Sequence, residues 1–188
     1  TPSQLNETKD DLFANYSLGN HIDMSGWDWY ATGDWSNYFE GSFDGNNYTI
    51  SNLYIPVINQ GGDYTYGLFG SVTGVEIKNF RIDGLLMETL EDTSDCCYGS
   101  VIGGAEGIVT LSNIIVENAL INFTHQDSGD TGGIVGGFWV DEGSSMTDVH
   151  FSGDIHGVTP NSARIMGGLV GEGSITNLTR VSSKGELH

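Results

Sequence analysis

The stretch "YGLFGSVTGVEIKNFRIDG", residues 66–84, decides how this chain is read. Gly67 and Gly70 frame Leu68 and Phe69, a turn follows, and an alternating segment then closes on Gly84. One such block would carry little information, but it recurs as "SVIG" (100–103), "GIVG" (133–136) and "GLVG" (168–171). Each copy is followed by an apolar-rich stretch carrying Asn or Asp: "IKNFRIDG" (77–84), "LSNIIVENALI" (111–121), "MTDVHFSGDIHG" (146–157) and "ITNLTRVSSKG" (175–185). An earlier half-copy reads "GSFDGNNYTISNLYI" (41–55). The polar anchors Asn52, Asn79, Asn113, Asp148 and Asn177 stand 27, 34, 35 and 29 residues apart.

A period of that size marks a repeat array. Its grammar is β: the stretches are short, rich in Val, Ile, Phe and Thr, and alternate along the chain between closely spaced turn residues. After residue 38 no segment sustains an apolar face at helical spacing. The reading is an all-β parallel β-helix, or β-solenoid, in which coils stack about 4.8 Å apart. Corner glycines supply positive φ or let one backbone lie close over the next. Leu, Ile, Val and Phe fill columns in the core, and Asn79, Asn113 and Asn177 are expected to stack as a side-chain amide ladder. Residues 1–38 depart from the repeat and are read as an N-terminal cap and first coil, with a short helix over Lys9–Ala14, a strand over 16–24 and an aromatic loop. An atypical first unit covers an otherwise exposed strand edge. Residues 39–188 hold the repeats; the start at Thr1 and the stop at His188, partway through a repeat-like stretch, read as a segment excised from a longer chain with flanking domains.

Composition narrows the function. Glycine accounts for 28 of 188 residues, against about 13 at average usage, but with 3 prolines and no three-residue period the chain is not collagen-like. The 25 acids against 6 bases give a formal charge of −19. That argues strongly against a nucleic-acid binder, which needs a basic face, and against adsorption to anionic membranes. It suits a soluble protein in a salty or calcium-containing medium. No run of 18 apolar residues occurs, so this segment does not insert in a membrane as a helix.

The stretches "YSLGNHIDMSGWDW" (16–29), "FEGSFDGNNYTISNLYI" (39–55) and "YGLFGSVTGVEIKNFRI" (66–82), with the later GIVG and GLVG blocks, resemble the GLUG-repeat family of bacterial surface proteins. That family includes adhesin-like proteins and the non-catalytic region of IgA-cleaving metallopeptidases. The resemblance runs from about residue 8 to 185 and departs at "YGSVIGGAEG" (98–107), where Ser100 stands for the leading glycine. It implies a right-handed β-helix on a secreted or cell-surface bacterial protein, and no reaction.

Assembled catalytic motifs are missing from the sequence. There is no HExxH, no GxSxG elbow and no phosphate-binding GxxxxGK[ST] or GxGxxG. Of the five histidines, His150 and His156 stand six apart, which does not match zinc-ligand spacing. Carboxylates abound, and a β-helical polysaccharide lyase or glycoside hydrolase, with paired acids across a cleft, is the enzymatic alternative. Solvated outward acids account for the same residues. Asp127 and Asp130 in "HQDSGDTGG" offer hard oxygen ligands for calcium, although neither they nor the acids of "TLEDTSDCC" (89–97) form an EF-hand loop.

Two further features stand out. The loop "SGWDWYATGDWSNYF" (25–39) presents Trp27, Trp29, Tyr30 and Trp35, which fit a glycan or protein ligand platform or, alternatively, bulk that plugs the solenoid end. Cys96 and Cys97 are the sole cysteines. Their adjacency suggests a vicinal disulfide, strained because neighbouring Cα atoms are only about 3.8 Å apart, with free thiols or intermolecular pairing as alternatives. The expected role is a non-enzymatic module for adhesion or ligand display, against an enzyme or a purely structural spacer.

Overall fold

The fold is a parallel β-solenoid, seen in a computed structural model that describes residues 1–58, 65–90, 97–124, 129–158, 165–174 and 177–188. The first coil contains β1 (Asn15–Ser17) and β2 (Ile22–Asp23), and the second contains β3 (Ser42–Ser51) and β4 (Tyr54–Val57). One coil later come β5 (Thr65–Tyr66), β6 (Phe69–Thr73), β7 (Glu76–Asp83) and β8 (Leu86–Thr89). The next two coils are β9 (Cys97–Gly99), β10 (Ile102–Gly107), β11 (Thr110–Thr124), and β12 (Asp130–Gly132), β13 (Val135–Val140), β14 (Ser145–Val158). The last is β15 (Ile165–Gly167), β16 (Val170–Ser174), β17 (Asn177–Thr179) and β18 (Ser182–Lys184). Every recorded pairing is parallel, and equivalent strands of successive coils are neighbours: β6-β10-β13-β16 in one sheet, β5-β9-β12-β15 in a second, and β1-β3-β7-β11-β14-β17 along a third.

Registers turn the sequence repeat into core columns. Phe43, Ile77, Leu111 and Met146 stack one above the next, and all are buried. Ile50, Ile82, Val116 and Phe151 form another column, and Phe69, Ile102 and Val135 a third. Burying each such side chain contributes about 1.5–3 kcal/mol. Tyr66 and Tyr98 stack with centroids 5.4 Å apart and ring planes 5° from parallel, and Tyr98 continues onto Phe123 at 5.9 Å.

The corners divide labour between Asn and Gly. At the first corner Asn79, Asn113, Asp148 and Arg180 have φ of 59°, 52°, 55° and 51°. Asn and Asp tolerate the left-handed region better than other non-glycine residues. Asn113 Nδ2 donates to Asn79 Oδ1 at 3.1 Å and to Asn47 Oδ1 at 3.0 Å, and Asn79 donates to Asp44 at 3.1 Å. So the expected ladder exists around Asn79 and Asn113, but Asn177 is not on it. Asn177 pairs with Ser145, and Arg180 takes the corner and binds Asp148. Asn52 likewise belongs elsewhere: with Gly84 and Asn118 it forms a second corner, at φ 54°, 77° and 52°. There Asn52 Nδ2 donates to Asp23, and this bond, with those from Ser25, lowers the Asp23 carboxyl to about 2.

Replacing Asn113 separates backbone from ladder. Asn113→Gly keeps the corner and loses the amide bonds, whereas Asn113→Ala loses both. The alanine variant is expected to be about 1–2 kcal/mol less stable than the glycine variant in urea unfolding. Equal stabilities would show that φ at this corner is not what selects Asn.

The glycines that frame Leu68 and Phe69, and their counterparts in later coils, do something different. None of Gly67, Gly70, Gly103 or Gly136 has a positive φ. A methyl on Gly136 would lie 2.5 Å from Tyr98 N and 2.7 Å from the Gly103 carbonyl oxygen. Gly103 and Gly171 meet Tyr66 N and Thr131 N at 2.6 Å in the same way. These glycines therefore let two walls approach backbone to backbone. The register also resolves the apparent departure at Ser100. Tyr66 pairs with Tyr98 and Phe69 with Ile102, so the coil beginning at β9 has one more residue here, and Gly99 directly follows the paired tyrosine. The buried Ser100 hydroxyl donates to the Gly133 carbonyl of the next coil.

The N-terminal segment starts with helix α1 (Pro2–Asn6) and a 3-10 turn over Glu7–Lys9, earlier than the expected Lys9–Ala14 helix. Thr1 and Gln4 form a reciprocal capping box with Pro2 in the first turn. Beyond Lys9 the helix does not continue: Asp11 Oδ1 accepts from Phe13 N at 3.0 Å, a local bond that favours a turn. Leu5 of α1 joins Leu18, Ile22 and Met24 in the same hydrophobic cluster as the later coils.

Candidate functional site

The aromatic loop does not sit over the solenoid end as a plug; it runs along the walls. Asp28 bridges in parallel to Tyr54 of β4 and so ends the first coil, while Thr32 bridges to Phe69 and Phe39 to Val72 of β6, so residues 32–39 belong to the coil that contains β3. Its aromatics take three different environments.

Trp29 is 1% exposed, and its Nε1 donates to the Leu68 carbonyl at 3.0 Å. It ties the loop to the "GLFG" bend. Phe39 is also interior, stacked on Phe69 at 4.9 Å. Trp27 and Tyr30 are exposed at 36% and 40%. Trp35 and Tyr38 are half-buried, and Trp35 reaches across coils to Trp139 of β13, with centroids 5.8 Å apart. Tyr38 packs edge-on against Trp35 at 5.7 Å. Trp139 is 38% exposed.

This Trp35–Tyr38–Trp139 cluster lies on a glycine floor. A methyl on Gly104 would stand 2.8 Å from Trp35 Cζ2, and one on Gly137 2.3 Å from Trp139 Cη2. Gly104 and Gly137 are register partners in β10 and β13, one rung apart. Glu106 pairs with Trp139 on the next outward rung. Burial first, and then the Glu106 carboxylate it hydrogen-bonds, push the Tyr38 phenol above its ordinary value. The arrangement joins flat apolar rings to a carboxylate acceptor on a rigid sheet.

A concave site lies beside this loop. A cavity of about 510 Å³ is lined by Lys9, Trp29, Tyr30, Asp34, Asn37 and Tyr66, among others. Lys9 Nζ stands 4.5 Å from the centroid of the Trp29 ring and donates to Asn6 Oδ1 at 2.7 Å. Burial pushes its ammonium below the ordinary lysine value. Asp34 Oδ1 accepts from Ser36 N at 2.7 Å and Asn37 N at 2.8 Å, which fixes the rim turn.

Of the other candidates, Asp127 and Cys96 lie outside the described residues. Asp130 opens β12 and is half-buried. Among the described residues no three His, Cys, Asp or Glu side chains gather as a metal set. Cys97 begins β9, is buried and is disulfide-bonded. His150 and His156 point to separate neighbours: His150 Nδ1 meets Ser182 Oγ at 2.7 Å, and His156 lies 4.8 Å from the His188 ring. Trp139 was not singled out in the sequence. Its signal was the outward position next to inward Phe138, visible only once β13 is placed in register.

No protein-family model matches the chain, and no curated protein matches it. Among solved structures it is similar to a Bacteroides ovatus protein provisionally described as an immunoglobulin A1 protease. The likeness has a TM-score of 0.38 at 15% identity and covers 96% of this chain and 72% of that one. No helix among the described residues is long and apolar enough to cross a membrane.

Proposed function

We propose that the chain is a non-enzymatic ligand-display module of a secreted or cell-surface bacterial protein, and that it holds carbohydrate on the Trp35–Tyr38–Trp139 face. The observation that carries this reading is the glycine floor. Gly104 and Gly137 leave room for two indoles on neighbouring rungs of one outer face, held in place by strands rather than by a loop alone. Aromatic rings bind the apolar face of a sugar, and a neighbouring carboxylate such as Glu106 accepts from its hydroxyls. The resemblance of the repeats to GLUG-type surface proteins supports the setting.

A glycan array probed with this chain is expected to return a defined set of neutral or mildly polar glycans. Trp35→Ala and Trp139→Ala should each weaken binding about tenfold or more, the effect of removing an anchor worth roughly 1.4 kcal/mol. Circular dichroism would confirm that both variants stay folded. An array with no signal, or unchanged affinity in both folded variants, would overturn the assignment.

A further inference from the structure

The chain has 6 cations, and among the described residues three of the five are paired with acids. Lys78 pairs with Glu76, Arg81 with Glu117 and Arg180 with Asp148. Lys184 is exposed on β18, and Arg164 lies outside the described residues. Of the two described cations without an ion pair, Lys9 is the one that is not exposed. It is half-buried, and among the described residues no carboxylate lies within 4.0 Å of its nitrogen.

An ammonium has three donors. One goes to Asn6 Oδ1, and the Trp29 ring lies 4.5 Å away. The remaining donors belong to a group that lines a cavity of about 510 Å³. That size falls in the range of small-molecule sites, about 300–1,000 Å³. In a chain with 25 acids and 6 bases, a half-buried lysine at a cavity wall with no described carboxylate within 4.0 Å offers an anion a charge-assisted contact.

The rest of the lining tells what kind of anion. Tyr30 is 40% exposed and offers a flat apolar ring. The Asn37 side chain and the Asp34 carboxylate supply hydrogen-bonding groups for hydroxyls. Asp34 also repels a multiply charged group such as a phosphate, whereas a single carboxylate can turn toward Lys9 and away from it. Trp35 and Trp139 do not line this cavity.

From this juxtaposition of Lys9, Tyr30 and Asn37 around one cavity, we propose a second binding site, for a carboxylate-bearing pyranose of the hexuronic acid class. The carboxylate accepts from Lys9, the ring packs on Tyr30, and the hydroxyls face Asn37 and Asp34. This site is separate from the Trp35–Trp139 face and does not depend on it.

The test is calorimetric or saturation-transfer titration of this chain with glucuronic and galacturonic acids, with glucose, and with N-acetylglutamate. Salt is held at about 0.15 M, where the Debye length is about 8 Å, so that the overall negative field does not mask a local contact. The uronic acids should bind at least tenfold more tightly than glucose, and N-acetylglutamate should not compete. Lys9→Met, which keeps the apolar stem over Trp29, should abolish the preference, and Trp35→Ala should leave it intact. Equal binding of glucose, tighter binding of N-acetylglutamate, or an unchanged preference in folded Lys9→Met would each overturn the proposal. Loss of the preference in folded Trp35→Ala would overturn the independence of the two sites.

Discussion

Gly136→Val does not fold into the stacked solenoid, and Gly136→Ala loses about 3 kcal/mol or more. The added methyl would meet Tyr98 N at 2.5 Å, Gly103 O at 2.7 Å and Asp130 O at 3.0 Å. All three are backbone atoms of strands in two coils, so no flexible side chain can move aside. Overpacking a tight interior costs about 1–3 kcal/mol and sometimes more, against a total stability of about 5–15 kcal/mol for a domain. Gly74 is the control. Its φ is +65° and no atom lies within 4 Å of an added Cβ. Gly74→Ala therefore meets only the left-handed backbone cost, about 1–2 kcal/mol. Urea unfolding of both alanine variants decides the matter: a larger loss at Gly74 than at Gly136 would refute close approach as the reason for the repeated glycine.

Trp29→Ala should lose about 3–5 kcal/mol, the usual cost of truncating a buried large aromatic. The side chain is 1% exposed and ties the loop to the Leu68 carbonyl. Trp29→Phe keeps most of the bulk and removes one of two donors to that carbonyl, the Thr32 N–H at 3.3 Å remaining, at a cost of about 0.5–1.5 kcal/mol. Thermal and urea unfolding of both variants will test this, and an alanine variant as stable as the native chain would place Trp29 outside the core. The loss in Trp29→Ala should exceed that in Trp35→Ala, because Trp35 rests on the outer face of the sheet.

The repeat was legible because each coil repeats the same inward positions: the register Ile77–Leu111–Met146 follows the period seen in the sequence. What spacing alone could not give was the corner assignment. Asn52 and Asn79 share a residue type and lie 27 residues apart, yet Ser51 pairs with Asp83, so Asn52 falls at the Gly84 corner, and it is Asn47, in the bulge between Asp44 and Tyr48, that meets Asn113. Type was also a poor guide at the last coil, where Arg180 adopts the corner and Asn177 does not.

The aromatic loop was legible as a candidate but not as a site. Four aromatics were singled out within 25–39, and the fold places Trp29 inside, Tyr30 at a cavity and Trp35 against a tryptophan more than 100 residues later. Nothing in local sequence links Trp35 to Trp139. The link depends on the floor at Gly104 and Gly137, which becomes visible only when β10 and β13 are laid side by side. Lys9 was hidden for a related reason: that no described carboxylate comes within 4.0 Å of its nitrogen is a property of the folded neighbourhood, not of the composition.

The parallel registers also set how the molecule responds to tension. Ladder bonds join each coil to the next, so a pull that starts at the chain's end loads one strand at a time and peels coils in order instead of shearing the whole sheet. The register Ile77–Leu111 makes a coil 34 residues long, and each coil released yields roughly 110 Å of extended chain at about 3.3 Å per residue. Where Arg180 grips Asp148 and Asn113 bonds to two coils at once, the peel meets its local catches. A rod built this way lengthens in steps under force while its remaining coils keep their outer faces in place.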